Sequence, residues 1–210
     1  MLLVLLHQHS FLPSVRHRTT FLRPAAARLR AAAEELPPLT FDDIATWVKE
    51  KSGEDPSLTY GEITPRGFRT LAQRLRLAAT DVFVDLGSGH GKAVVQSVAE
   101  MGVSAGVGVE IAQSRHDKAE ALRATLPTAE AERVTFVLGD CADAAPWTGP
   151  RAPLAGATVV YVASLLFDRL LLERVAARLA AAPQLRTVAT LRRFPSGMRG
   201  FDECEPRGRM

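Results

Sequence analysis

Cysteine is scarce: Cys141 and Cys204 are the only two in 210 residues. They form neither a metal-binding spacing nor a disulfide framework, which fits a reducing compartment, and no metal site is expected. Long apolar runs are also missing. No stretch approaches the ~18 residues a membrane-spanning helix needs, so no span is expected. A basic body is missing too. The net charge of +3 is made of +5 in residues 1–33 and −2 in the remainder. Charge alone therefore excludes a basic nucleic-acid-binding domain, and no direct sequence-specific contact with nucleic acid is expected. What remains is 47% apolar and 23% charged, a globular composition, long enough for one domain with an extension.

Residues 1–37 read as a leader outside the fold. They start apolar (Met1 to Leu6), carry Arg16, Arg18, Arg23, Arg28 and Arg30 with Ser10, Ser14, Thr19 and Thr20, and contain no acid before Glu34. That is the composition of an organellar transit peptide; a leader with no targeting role is the alternative. Pro37-Pro38 marks a linker. Residues 38–80 form a helical and loop segment, with a short helix capped by Thr40 and a second from Thr64 to Leu77. In the second, Thr64 is the N-cap, Pro65 the first helical residue, and Phe68, Leu71 and Leu75 share a face.

Residues 81–194 alternate strand and helix with short connections, predicting an α/β fold with a doubly wound, mostly parallel sheet. Strands are expected at 82–86, 105–110, 133–138, 157–163 and 186–191, and helices at 92–101, 113–125 and 167–182. A loop spans 141–156. Residues 195–210 read as a polar tail.

The functional signal is Val82-Phe-Val-Asp-Leu-Gly-Ser-Gly-His-Gly91. A buried strand ends in Asp85 and runs into Gly87, Gly89 and Gly91, which let a ligand approach the backbone at the start of a helix. A dinucleotide loop needs G-x-G-x-x-G facing a pyrophosphate, and an acid beside it would repel that ligand. S-adenosylmethionine has no phosphate. Its ammonium and sulfonium suit Asp85, its ribose hydroxyls suit Glu110 at the end of the next strand, and its adenine amino group suits Asp140 after the third. The constellation of three strand-end acids behind a glycine loop points to that cofactor.

These residues, with Tyr60-Gly61-Glu62 upstream of the loop and Gly108-Val-Glu110 after it, resemble the non-SET lysine methyltransferases of the disruptor-of-telomeric-silencing (Dot-one) family. The resemblance covers roughly residues 60–194. It implies a class I methyltransferase domain in which Tyr60 and the Glu62–Thr64 loop close over the methionine end of the cofactor. Asp85, Gly87 and Gly89 form the cradle, with Lys92 where the family has glutamine. Glu110 holds the ribose, and Asp140 and Cys141 meet the adenine. It also implies a protein-lysine acceptor such as a histone in a nucleosome, a chromatin role in the nucleus, and a monomer.

Tyr60, Glu62, Tyr161, Ser164 and Phe167 are the residues expected around the reacting groups. Tyr60, Tyr161 and Phe167 are channel walls, Glu62 orders its loop, and Ser164 offers a hydroxyl. The family's asparagine pair after the fourth strand is Ala163-Ser164 here. The antiparallel strand pair that completes the family's sheet is expected to be missing, because residues 194–210 are too few and too polar. His90, Arg115 and His116 read as a contact and solvated positions, and Trp147 as an adenine cover or a packing residue. Three readings stay open: a histone-lysine methyltransferase, an organellar protein-lysine methyltransferase, and a non-catalytic fold that binds cofactor or a partner.

Overall fold

The computed structural model describes residues 3–7, 62–149 and 152–204. The Thr40 helix and Tyr60 lie outside the described residues. The elements in chain order are β1 (Leu3–His7), α1 (Pro65–Arg74), β2 (Val82–Leu86), α2 (Lys92–Ala99) and β3 (Ala105–Glu110). Then come α3 (Gln113–Arg123), α4 (Thr128–Ala131), β4 (Val134–Leu138) and β5 (Val159–Val162). A 3-10 turn over Ser164–Leu166, α5 (Arg169–Ala181), β6 (Thr187–Thr190) and β7 (Phe201–Cys204) complete the chain.

One seven-stranded sheet runs β4-β3-β2-β5-β6-β1-β7. The five strands β2 to β6 are mutually parallel. Strand order reverses between β2 and β5, so the crevice for a ligand lies beyond the C-terminal ends of those two strands. In register there, Asp85 faces Tyr161 and Leu86 faces Val162.

The expected absence of the antiparallel pair is corrected. β1 lies between β6 and β7, antiparallel to both, with Leu3 opposite Thr190 and Val4 opposite Cys204. Two segments assigned to a leader and a polar tail thus supply the strands. Strand pairing between residues about 180 positions apart leaves no local pattern, so an apolar pentapeptide in an arginine-rich leader does not announce its partner.

The sheet separates two apolar layers. Phe83, Val159 and Tyr161 project toward α1, α2 and α3, where Phe68, Leu71, Val94, Val98 and Ala119 are buried. Val84, Leu86, Val160 and Val162 project toward α5 and the 141–157 loop, against Leu172, Val175, Leu179, Trp147 and Leu154. The alternation along β2 places Asp85 on the α1–α2 side, beneath the glycine loop. The Thr64 cap is as expected: its Oγ1 accepts the Gly67 N–H at 3.0 Å, with Pro65 following.

At the opposite, N-terminal edge of the sheet one carboxylate ties the elements together. Asp81 accepts hydrogen bonds from the Ala78 N–H, the Thr158 hydroxyl and two nitrogens of Arg186, the shortest at 2.6 Å. The Asp81 carbonyl accepts from the Ser104 backbone and hydroxyl. Arg186 also reaches the carbonyls of Leu75 and Arg76. Burial pushes the Asp81 carboxyl up, but the bonds from Arg186, Ala78 and Thr158 outweigh it and the group ends below its ordinary value. Its contribution to stability is therefore full above the ordinary carboxylate range and is lost as pH falls through the lowered value. Asp81→Ala leaves the Arg186 guanidinium in place without its counter-ion. It is expected to cost about 3 kcal/mol in urea unfolding at neutral pH, with the deficit shrinking below about pH 4 as the native chain loses the same interaction.

Candidate active site

The glycine loop is folded back on the sheet. The N–H groups of Gly87 and Ser88 both donate to the Val109 carbonyl, and Gly91 N–H closes a turn on Ser88. Gly87 and Gly91 have φ of +85° and +77°, in the left-handed region. A Cβ on Gly91 would lie 2.3 Å from the Phe136 ring, and one on Gly108 would lie 2.6 Å from Ser88 Oγ. A side chain at either place would force Phe136 or Ser88 to shift. The loop delivers the chain into α2 with Lys92 as its first residue.

A pocket opens beside the loop, lined by Glu62, Ile63, Asp85, Gly87, Ser88, Lys92, Ala93, Tyr161 and Ala163. Asp85 is 5% exposed and its Oδ1 has no hydrogen-bond partner; Ser88 Oγ is likewise buried and unpartnered. Burial, then the Glu110 and Glu62 charges, push the Asp85 carboxyl up to about 7. Glu62 is ion-paired to Lys92 and stands 3.6 Å from His90 Nδ1. Desolvation lowers the His90 pKa despite that neighbour. Tyr161 is 4% exposed, and burial followed by Asp85 raises its phenol, which stays neutral.

Glu110 is 4% exposed and fully engaged. Its Oε2 accepts from Gly89 N–H at 2.9 Å, so it braces the glycine loop from the neighbouring strand. Its Oε1 accepts from Ala112 N–H and from two nitrogens of Arg115. Arg115 is therefore a partner of the strand-end acid and not the solvated position read from the sequence. Its spacing, five residues after Glu110 on the next helix, was the available signal. Asp140 accepts from Ala142 N–H at 2.8 Å and pairs with Arg174 at 3.1 Å.

Cys141 is buried, and burial followed by Asp140 pushes its thiol up to about 12, so it is an inert packing group. Trp147 takes the packing alternative: its indole N–H donates to the Cys141 carbonyl and its ring lies in the core. Two exposed apolar residues escaped the sequence reading. Ile111 is 68% exposed directly after Glu110, and Leu138 is 44% exposed opposite Glu110 on β4. Large apolar groups at sheet ends beside a carboxylate mark a place where a flat apolar ligand can lie.

Phe167 approaches the loop, with its ring 3.8 Å from where a Cβ on Gly87 would sit. Ser164 does not reach the pocket. It is fully buried, and its hydroxyl bonds Thr190 Oγ1 at 2.7 Å and accepts the Arg192 N–H at 2.9 Å. Ala163 lines the pocket in its place. Thr64 is exposed and committed to its helix cap. The structure thus gathers Glu62, Asp85, Gly87, Lys92, Tyr161 and Phe167 around the loop, with Gly89 and Glu110 joined behind it. Thr64, Ser164, Asp140 and Cys141 have the other engagements described. Among the described residues no group of side chains could hold a metal ion, and no helix is long and apolar enough to cross a membrane.

The chain matches the family described as histone methylation protein DOT1 over residues 54–199. No curated protein matches it. Among solved structures it is similar to the methyltransferase domain of bacterial CtHen1-C, at 16% identity and a TM-score of 0.51, covering 61% of this chain and 65% of that one. It is also similar to an RNA methyltransferase from Salinibacter ruber in complex with S-adenosyl-L-homocysteine, at 25% identity and a TM-score of 0.44, covering 55% and 66%. A third is a SAM-dependent methyltransferase from Geobacter sulfurreducens in complex with the same ligand, at 25% identity and 0.44, covering 71% and 53%. The chain spans between about half and two thirds of the length of these structures.

The sheet order and the loop at the strand reversal are those of the class I, S-adenosylmethionine-dependent methyltransferase fold. The family match extends over more than half of the sequence, and the chain belongs to the DOT1 histone methylation family.

The Asp85 environment has a pH signature. The charged carboxylate is the form that attracts an ammonium, and with its pKa pushed up to about 7 it is half formed at that pH in the free protein. Below about pH 6, S-adenosylhomocysteine affinity measured by calorimetry is expected to fall about tenfold per unit of acidification. Above about pH 8 it is expected to be flat, and Asp85→Asn is expected to bind more weakly with no such slope.

Proposed function

We propose that this protein transfers a methyl group from S-adenosylmethionine to the ε-amine of a protein lysine, with a histone as the substrate class. The observation that carries the reading is the pair of opposite charges flanking the glycine loop. The buried, unpartnered Asp85 oxygen and the Lys92 ammonium both belong to the lining of the pocket. A free α-amino acid end is a zwitterion. Asp85 matches its ammonium, and Lys92, at the N-terminus of α2, matches its carboxylate. In this reading Glu110 takes the ribose hydroxyls, Ile111 and Leu138 the faces of the adenine, and Asp140 its amino group. These residues fit the cofactor, which supplies an activated methyl on a sulfonium.

The protein's own work is alignment and proton management. Tyr161, Phe167 and Ala163 form the wall on the β5 side, and Tyr60 is proposed for the opposite wall. An amine in this apolar channel is favoured in its neutral form, because desolvation penalises the ammonium. Tyr161 remains protonated and Glu62 is held by Lys92, so neither serves as base, and the amine gives its proton to water on entry. Ser164 acts through the loop it anchors and supplies no hydroxyl to the reaction.

The Arg-rich, acid-free composition of residues 1–33 supports a second reading, an organellar protein-lysine methyltransferase. One assay separates them. The full chain is incubated with labelled S-adenosylmethionine and nucleosomes, free core histones or an organelle extract. Label on a histone lysine is expected; label only in the organelle extract moves the substrate to the second reading. Cofactor binding with no label anywhere leaves a non-catalytic fold.

The charge pairing is tested by ligand subtraction. Lys92→Met is expected to weaken S-adenosylhomocysteine binding by about tenfold or more, the worth of one charge-assisted hydrogen bond. It is expected to leave 5′-methylthioadenosine, which lacks the amino acid end, within about twofold. Equal losses for both ligands would remove Lys92 from the carboxylate site.

A further inference from the structure

We infer that the N-terminal strand is a positioning element for the acceptor side of the site: Leu3–His7 hold β6, and β6 holds the loops that carry Phe167. The inference rests on the proposed function for the word acceptor; the physical chain of contacts does not.

The chain of contacts begins with strand pairing. β1 fills a slot between β6 and β7, and β7 meets the sheet through β1 alone. Without β1, the outer edge of β6 is an unpaired row of backbone groups, and β7 has no neighbour. Leu3 is opposite Thr190, the last residue of β6. Thr190 is fully buried and stands at the centre of a small closed network. Its hydroxyl donates to the Arg192 carbonyl at 2.9 Å and accepts from Ser164 Oγ at 2.7 Å. Ser164 Oγ in turn accepts the Arg192 N–H.

Arg192 then returns to the β5 side, its guanidinium donating to the Phe167 carbonyl at 2.5 Å, while Phe167 N–H donates to the Ser164 carbonyl at 3.1 Å. The ring at the end of this path is the one that stands over Gly87. The cofactor cradle is built differently. Its braces are Val109 and Glu110 on β3, which hold the loop that follows β2, in the far half of the sheet. Loss of β1 therefore loosens the wall and spares the cradle.

A consequence concerns the leader composition. The apolar start that suits an import signal is the strand itself. For one molecule, removal of the leader and completion of the sheet are mutually exclusive.

The test uses the full-length chain. Val4 and the native Cys204 are register partners, at a separation a disulfide tolerates. Val4→Cys is expected to oxidise to an intramolecular cross-link, seen as a monomer of altered mobility on a non-reducing gel. No cross-link, or one between two copies, overturns the arrangement within one chain. Leu5→Pro removes a ladder hydrogen bond in the middle of β1. In that variant amide exchange is expected to rise at residues 187–190 and 201–204, and with them at 164–167 and 191–192. β2 and β3 remain protected.

S-adenosylhomocysteine affinity is expected to stay within about twofold. Turnover of the labelled acceptor is expected to fall about tenfold with the KM for the cofactor unchanged, a split that general destabilisation does not produce. A synthetic peptide of residues 1–9 is expected to restore protection. Unchanged exchange at 164–167, or equal loss of cofactor affinity, overturns the inference. Failure of the unsubstituted chain to bind S-adenosylhomocysteine or label any acceptor would sink the functional reading instead, with exchange and cross-linking still deciding the strand. If Leu5→Pro does not fold, the Val4→Cys chain decides: amide exchange at 164–167 is expected to slow when the cross-link forms, and unchanged exchange there overturns the inference.

Discussion

The Asp81–Arg186 pair does for this sheet what a hairpin turn does for a meander. The parallel strands share no short connection that sets their register, so something at their starting edge must. Asp81 receives bonds from the end of the α1 region, from Thr158 ahead of β5 and from Arg186 ahead of β6, while its carbonyl receives Ser104 ahead of β3. Four strand entrances are levelled by one residue. With the entrances aligned, the exits align too, and the exits are where Asp85, Glu110 and Tyr161 stand. A buried ion pair is weak evidence for net stability, but its hydrogen-bonding geometry makes it good evidence for specificity of register.

The opposite edge is built under electrostatic tension. Asp85, Glu110 and Glu62 bring three carboxyl groups to one small region, and Asp85 has no partner on one oxygen. Glu110 avoids conflict by taking Arg115 and two backbone N–H groups, and Glu62 takes Lys92. Asp85 alone is left raised. Its share of stability is fully present below the ordinary carboxylate value and is lost as pH rises through about 7. At neutral pH the protein therefore carries a cost that a cation beside Asp85 would relieve, an exchange of stability for binding at a site.

The inner sheet and the cofactor side were legible in the sequence because their signals are local. An apolar run, an acid and alternate glycines lie within ten residues, and strand–helix alternation set the parallel topology. The helix ends moved by a few residues, as with Lys92–Ala99 against 92–101, because frayed turns carry no apolar marker. The short α4 was missed because four residues show no periodicity. Asp81 and Arg115 were missed because a structural ion pair far along the chain resembles any solvated charge until the fold brings the partners together. Ser164 was misjudged for the complementary reason. Its neighbours in sequence suggested the chamber, but its partners, Thr190 and Arg192, arrive from β6.

Chain order adds one more consequence. Leu3–His7 are made long before their partners at Thr187–Thr190 and Phe201–Cys204. At about 5–20 residues per second, roughly 10–40 s of synthesis separate the strand from its slot. Throughout that interval an apolar Leu-Val-Leu-Leu segment is without its strand partners and available to chaperones. The outer edge of the sheet thus closes only after the residues of its parallel half have been made.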